Sequence, residues 1–280
     1  MNIIRSPKQL QETVKRLKLK GKSVGLVPTM GALHDGHISL VKKARKENDI
    51  AVVSIFVNPS QFGPKEDYLR YPRPFNKDKK LCLNAGVDII FAPSVKSMYP
   101  EGYLTYITVE KMSDILCGKF RSGHFRGVAT VVAKLFNSCL PDNAYFGTKD
   151  YQQIKVIERM ARDLNFPVNI VPCRIIREPS GLAMSSRNSY LTSTQKLAAT
   201  RIHEALQQAG YMVKCQKSKN SGKIINKVKK IVLGIKDIKI DYIEICDAET
   251  LEPLATVNKT AVLLVAVWVG KTRLIDNIVI

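Results

Sequence analysis

The stretch Val24-Gly25-Leu26-Val27-Pro28-Thr29-Met30-Gly31-Ala32-Leu33-His34-Asp35-Gly36-His37 decides the fold. Val24 to Val27 is a short apolar run, the mark of a buried strand. From Gly36 to Glu47 apolar residues stand at 38, 40, 41 and 44, a helical spacing. Ile50 to Val57 is β-branched and almost wholly apolar, as expected of a strand covered on both faces. Strand, turn, helix and strand in so short a span make a βαβ unit and hence a parallel sheet.

The pattern repeats outward. Ser6-Pro7 reads as an N-cap followed by Pro at N1, opening a basic helix to about Leu19. Helices are expected near 74–85, 127–138 and 151–164, with strands at 87–91, 144–146 and 168–172. The expectation is an α/β fold: a Rossmann-like, doubly wound parallel sheet over residues 1–175. Residues 176–280 change character, with helices at 192–209 and 222–233 and strands at 238–246, 261–269 and 274–280. They read as a smaller C-terminal α+β domain, a natural lid.

Composition narrows the class. The 280 residues are 45% apolar and 24% charged, as in an ordinary globular protein. The longest apolar run, Ala261 to Val269, is far short of the ~20 residues a membrane helix needs. The N-terminus carries no apolar signal segment. Six cysteines without close pairs fit buried thiols in a reducing compartment, so a cytoplasmic location is expected. The net charge of +20 raises nucleic acid as a partner. Its distribution argues otherwise. Residues 1–22 hold +6 and residues 214–239 hold +8, in two Lys-rich segments outside every motif. These read as solvated helix faces. No zinc-finger spacing, RNP element or basic zipper is present.

Chemistry concentrates at the carboxyl ends of strands, where open α/β sheets bind ligands. At residues 28–37 two glycines allow close backbone approach. The helix that follows offers N–H groups to phosphate. His34 and His37, two of four histidines, can hydrogen-bond phosphoryl oxygens. In Asn58-Pro59-Ser60-Gln61-Phe62 a turn initiated by Asn-Pro accounts for Asn58 but not Gln61. Gln61 can read a carboxylate or hydroxyl, and spacing alone leaves both readings open. Residues 116–128, with Arg121, His124, Arg126 and Gly127, suit an anion-binding turn or a solvated basic loop, and by themselves they read as the loop. In Phe146-Gly147-Thr148-Lys149-Asp150-Tyr151-Gln152-Gln153, Lys149 suits phosphate, and Asp150 suits Mg²⁺, a ribose or a helix cap. Gly181 to Asn188 is a polar loop whose Arg187 suits forked phosphate contacts.

Together these segments resemble the pantothenate synthetase (pantoate–β-alanine ligase) family. The His-x-Gly-His element alone would indicate only nucleotidylyltransferases and class I aminoacyl-tRNA synthetases. Residues 57–62, 123–128, 146–153 and 182–188 make the resemblance specific. It implies condensation of pantoate with β-alanine, using ATP and Mg²⁺, through a pantoyl adenylate. Met30, Gly31, Ala32, Leu33, His34, Asp35, Gly36 and His37 would cradle ATP, with His34 and His37 on the phosphates and His37 as proton donor. Gly147, Thr148, Lys149, Asp150 and the backbone near Ile176 would hold the nucleotide. Lys149 with Met184, Ser185, Ser186 and Arg187 would stabilise the phosphates. Gln61, Gln153 and Asn58 would meet pantoate or β-alanine, and Asp150 and Asp78 would neighbour Mg²⁺. The family is commonly homodimeric. Thr148, Ser180, Cys117 and Ser122 depart from its usual Glu, Asp, Glu and Pro. Alternatives from other classes are a nucleotidylyltransferase acting without an amine and a nucleic-acid-binding protein.

Overall fold

The computed structural model describes residues 1–64 and 66–280. The chain divides into two compact units: Met1–Thr148 with Gln153–Arg174, and Lys149–Gln152 with Ile175–Ile280. The chain therefore passes between units more than once.

The elements of the first unit are β1 (Asn2–Ile4), α1 (Pro7–Leu19), β2 (Val24–Thr29), α2 (Asp35–Glu47), β3 (Ile50–Ile55), α3 (Phe75–Asn84) and β4 (Ile89–Phe91). Two single-turn helices follow, α4 (Val95–Met98) and α5 (Cys117–Phe120), then α6 (His124–Cys139) and β5 (Asn143–Gly147). The unit closes with α7 (Tyr151–Asp163), which belongs to it from Gln153 on, and β6 (Asn169–Cys173). Its six strands form one parallel sheet in the order β1-β4-β3-β2-β5-β6. The order reverses between β2 and β5, so the crevice expected to take a ligand lies beyond the carboxyl end of β2. Ala51, Val52 and Val53 of β3 are fully buried, which explains the continuous apolar run there.

Ser6 caps α1 by accepting from Gln9 N, with Pro7 in the first turn. β1 escaped the periodicity because three residues are too few to show alternation; it adds an edge strand beside β4. Helix α6 begins three residues before the expected start because Gly123, at φ +76°, turns the chain directly into it. Leu140, also left-handed, stops it.

The second unit contains α8 (Ser193–Lys214), α9 (Ser221–Val232) and an antiparallel sheet of β7 (Ile238–Asp247), β8 (Ala261–Val269) and β9 (Thr272–Val279). β8 is central, which is why its residues are apolar throughout. Helix α8 runs five residues past the expected end. Gly210 serves packing there rather than termination: a Cβ on it would lie 3.2 Å from Ile278 of β9. In α9, Ile224, Val228 and Val232 are buried, while Lys223, Lys227, Lys229 and Lys230 face solvent. The lysine excess is thus the outer face of an amphipathic helix.

All six cysteines are free, and Cys215 at the end of α8 is exposed, unlike the buried site expected. Burial pushes the Cys82 and Cys246 thiols up to about 12, so neither is a ready nucleophile. Among the described residues, no helix is long and apolar enough to cross a membrane.

One close approach joins α6 to the loop after β3. A Cβ at Gly127 would stand 2.2 Å from Ser60 O and 2.6 Å from Gln61 N, both backbone atoms. Gly127→Ala is expected to lower stability by about 1–3 kcal/mol, the usual cost of overpacking a site that cannot yield. Urea unfolding monitored by circular dichroism measures it; an unchanged midpoint would contradict the contact.

Candidate active site

The turn after β2 is built from backbone constraints. Thr29 Oγ1 donates to Ser54 O at 2.7 Å and accepts from Gly31 N at 3.1 Å. Gly31 (φ +80°) and Ala32 (φ +50°) are both left-handed. A left-handed alanine costs about 1–2 kcal/mol, so something must hold it. That group is Asp78 of α3, which is 1% exposed. Its Oδ2 accepts from Ala32 N at 2.9 Å and its Oδ1 from Leu33 N at 2.8 Å. Desolvation raises the Asp78 pKa, and it outweighs the two amides that favour the charged form.

The chain then enters α2 through a capping box. Gly36 N donates to His34 Nδ1 at 3.2 Å, and His34 N donates to His37 Nδ1 at 3.4 Å. The two rings lie 4.1 Å apart between centroids. A ring nitrogen that accepts carries no proton, so both imidazoles are neutral with the proton on Nε2. The cap thereby turns both Nε2 edges into hydrogen-bond donors, at a helix N-terminus that already favours anions.

Gln61 meets this turn directly. It ends the 3₁₀ turn Pro59–Gln61 and is 8% exposed. Its Nε2 donates to Met30 Sδ at 3.2 Å, and its Oε1 accepts from Asn58 Nδ2 at 3.0 Å. Asn58 was expected to touch substrate, but its own capacity is filled. Nδ2 also donates to Gly127 O, while Oδ1 accepts from Ser60 N, Ser60 Oγ and Tyr99 Oη. At 1% exposure, Asn58 orients Gln61 instead.

The reading of residues 116–128 as a solvated basic loop does not hold. Arg121 forks onto Glu66 at 2.7 and 2.6 Å and is only 14% exposed. Its Nη1 lies 3.0 Å from His124 Nε2, and His124 Nδ1 lies 2.8 Å from Gln61 O. Arginine can only donate, so His124 Nε2 accepts and Nδ1–H donates to Gln61 O. Arg126 stacks on Tyr106, 3.8 Å from the ring centroid. This segment therefore braces the Gln61 turn. A cavity of about 290 Å³ adjoins the β2 turn, lined by Met30, Gly31, Phe56, Phe75, Arg5 and Arg73 among others.

Of the remaining expected residues, Gly147, Thr148 and Gln153 belong to the first unit. Thr148 Oγ1 donates to Cys173 O at 3.0 Å, and Gln153 lies in the first turn of α7. Lys149, Asp150, Ile176, Met184, Ser185, Ser186 and Arg187 belong to the second. There Met184 N donates to Ile176 O, closing a short hairpin. Ser185 caps the 3₁₀ helix Ser186–Tyr190 by accepting from Arg187 N.

Among the described residues, no group of three or more His, Cys, Asp and Glu can hold a metal ion. Asp78, expected as a metal neighbour, is turned onto two amides. Mg²⁺ usually keeps several waters and leans on substrate phosphates plus one or two carboxylates. Of the two carboxylates expected near Mg²⁺, that leaves Asp150.

Sequence reasoning missed the task of Asp78, though a signal was present. Phe75, Asp78 and Cys82 share one helix face by spacing, so an acid stands where an apolar residue belongs. Glu66 gave no such signal, because its partner is far away in sequence.

Comparison with known proteins gives the family. The family model for pantoate–β-alanine ligase matches residues 2–279. A pantothenate synthetase of Sulfurihydrogenibium sp. (strain YO3AOP1) is 54% identical over 99% of both chains. The crystal structure of pantothenate synthetase from Thermus thermophilus superposes with a TM-score of 0.93, at 44% identity and 99% coverage of each chain. That of pantoate–β-alanine ligase from Francisella tularensis, complexed with β,γ-ATP and β-alanine, gives 0.82 at 40% identity, covering 100% of this chain and 97% of that one. This chain therefore belongs to the pantoate–β-alanine ligase family.

Proposed function

We propose that the chain condenses pantoate with β-alanine using ATP, through a pantoyl adenylate, releasing pyrophosphate and then AMP. The observation that carries the reading is the His34–His37 capping box at the N-terminus of α2, with the amide of Gln61 held on Met30 beside it. The bound nucleotide and β-alanine of the Francisella tularensis ligase support the substrates.

A carboxylate is a poor acyl donor because its leaving group would be oxide. Attack of a pantoate carboxylate oxygen on the α-phosphorus forms one P–O bond and breaks the bond to pyrophosphate. The β-alanine amine then attacks the acyl carbon, the acyl–O bond to AMP breaks, and the amine gives up a proton to solvent. The protein needs no nucleophile for this. His34 and His37 donate Nε2–H hydrogen bonds to phosphate oxygens as charge builds; as neutral rings they keep those protons, so His37 acts as a hydrogen-bond donor rather than a proton donor, and pyrophosphate leaves as an anion. Met30 to His37, Gly147 to Asp150 and Ile176 hold the nucleotide. Lys149 and Met184 to Arg187 offset phosphate charge. Gln61 and Gln153 hold pantoate. Mg²⁺ supplies neutralisation of the phosphates when bound, with Asp150 as its carboxylate. A cytoplasmic homodimer follows from the family resemblance; sedimentation at a monomer's mass would reject the dimer.

The decisive assay is AMP release from ATP. It is expected to require both pantoate and β-alanine; pyrophosphate and a lasting adenylated product formed without the amine would point to simple nucleotidyl transfer instead. His37→Ala is expected to fold normally and to lose about 10²–10³ in turnover, the usual worth of one preorganised donor to developing charge. Near-normal turnover would remove that role.

Asp78→Asn leaves one acceptor for two amides and sets an NH₂ group against an N–H. One buried donor is orphaned, at about 1–3 kcal/mol. The expected outcome is a folded enzyme whose KM for ATP rises about tenfold, corresponding to roughly 1.4 kcal/mol of lost turn geometry. Steady-state kinetics with varied ATP measure it, and an unchanged KM would show that the turn holds its shape without the carboxylate.

A further inference from the structure

Two consecutive polar residues of β9, Asp276 and Asn277, are each only 5% exposed. Neighbouring strand residues face opposite sides of a sheet, so β9 buries a polar group on both faces. Asp276 shares its face with Leu274 and Ile278, which belong to the apolar core of the unit. Apolar residues at 276 and 277 would suit a buried strand better. What the two groups hold must explain them.

Asp276 holds the hairpin that leads into the Ser185–Arg187 turn. Arg177 Nη1 and Nη2 donate to its Oδ2 and Oδ1 at 2.6 and 3.0 Å, and Arg177 Nη1 also donates to Gly181 O at 3.2 Å. Arg177 bridges Ala183 across the hairpin, and Glu178 N donates to Leu182 O. Asn188 closes the far side, its Nδ2 donating to Glu178 Oε1 at 2.7 Å and to Ala183 O at 3.1 Å. The hairpin and the turn it feeds are thus one hydrogen-bonded piece, clamped at Arg177. Asn277 holds the other element: its Nδ2 donates to Lys149 O at 3.0 Å. Adjacent residues on one strand therefore tie down two segments that lie 28 or more positions apart in sequence.

We infer that Asp276 and Asn277 are positioning residues, which fix Lys149 and the Ser185–Arg187 turn to a common strand and so set their spacing. The inference rests on the phosphate roles proposed for Lys149 and Arg187. A hinge or a single clamp would place either segment alone; two adjacent clamps place them together.

The test combines a double-mutant cycle with hydrogen exchange. Asn277→Ala is expected to slow pantoate-dependent pyrophosphate release about tenfold to a hundredfold, the range for a small misplacement remote from the chemistry. In a Lys149→Ala background the same change should add less than about twofold, because both act through one group. Losses that multiply in the double variant would overturn the role. Asp276→Asn should quicken amide exchange across residues 176–188 and leave the protected amides of α8 and α9 unchanged. If that variant fails to fold, Arg177→Met with Asp276→Leu removes both charges together and is read the same way. Exchange across 176–188 that stays at the wild-type rate would refute the clamp. This readout needs no turnover, so a wild-type chain that releases no pyrophosphate would refute the reaction and leave the clamp to be decided by exchange.

Discussion

The carboxylate of Asp78 is the constraint on which the nucleotide turn depends. β2 ends inside a parallel sheet, and the chain must reverse within a few residues to start α2 above it. It does so through two left-handed residues, one of which is alanine. That conformation leaves the amides of Ala32 and Leu33 pointing inward with no carbonyl to meet them, and a single buried carboxylate takes both. A carboxyl whose pKa is raised by folding binds its proton more tightly when folded. For Asp78, stability is therefore lost as pH rises through its folded pKa. What the carboxylate secures is geometry: with the turn held, His34 falls at the N-cap and His37 one turn on.

The capping box then acts on chemistry as well as on the helix. Histidine is an unusual cap, and Ser or Asp would serve stability as well. A ring with two nitrogens can accept a backbone N–H on one edge and present a donor on the other. Using Nδ1 for the cap fixes the tautomer before any ligand arrives, which is the kind of preorganisation that makes a donor effective against developing charge.

How far the sequence could be read follows from the range of the interactions. Elements set by local periodicity were legible: Ser6 and Pro7 opening α1, the apolar runs of β3 and β8, and the amphipathic α9 all lie where their residues place them. Local reading failed where a distant partner decides. Gly210 looks like a helix stop and is a packing contact with β9. Asn2–Ile4 is a strand only because β4 lies beside it. The same division runs through the site. His34, His37 and Gln61 could be picked out from type and position at strand ends. Asn58 and Arg121 could not be sorted from ligand-binding groups, because what spends their hydrogen bonds is Gly127, Tyr99 and Glu66, none adjacent in sequence. Asp78 is intermediate, since its place on an apolar helix face was visible but its partners were not.

The net charge of +20 has a similar resolution. Much of it lies on outward lysines of α1 and α9, where each charge is screened within about 8–10 Å at physiological salt. Near the first-unit site the cations are already committed. Arg121 is neutralised by Glu66 and Arg126 stacks on Tyr106, while Arg5 and Arg73 donate to backbone carbonyls. The groups left to face an anion there are largely neutral donors: two imidazole edges, an amide and helix N–H groups. Such donors bind phosphate by direction rather than by net charge, and they lose less to salt than exposed lysines do. The surface lysines raise the local concentration of anions around the whole molecule, but selection among those anions falls to fixed dipoles that the global charge does not reveal.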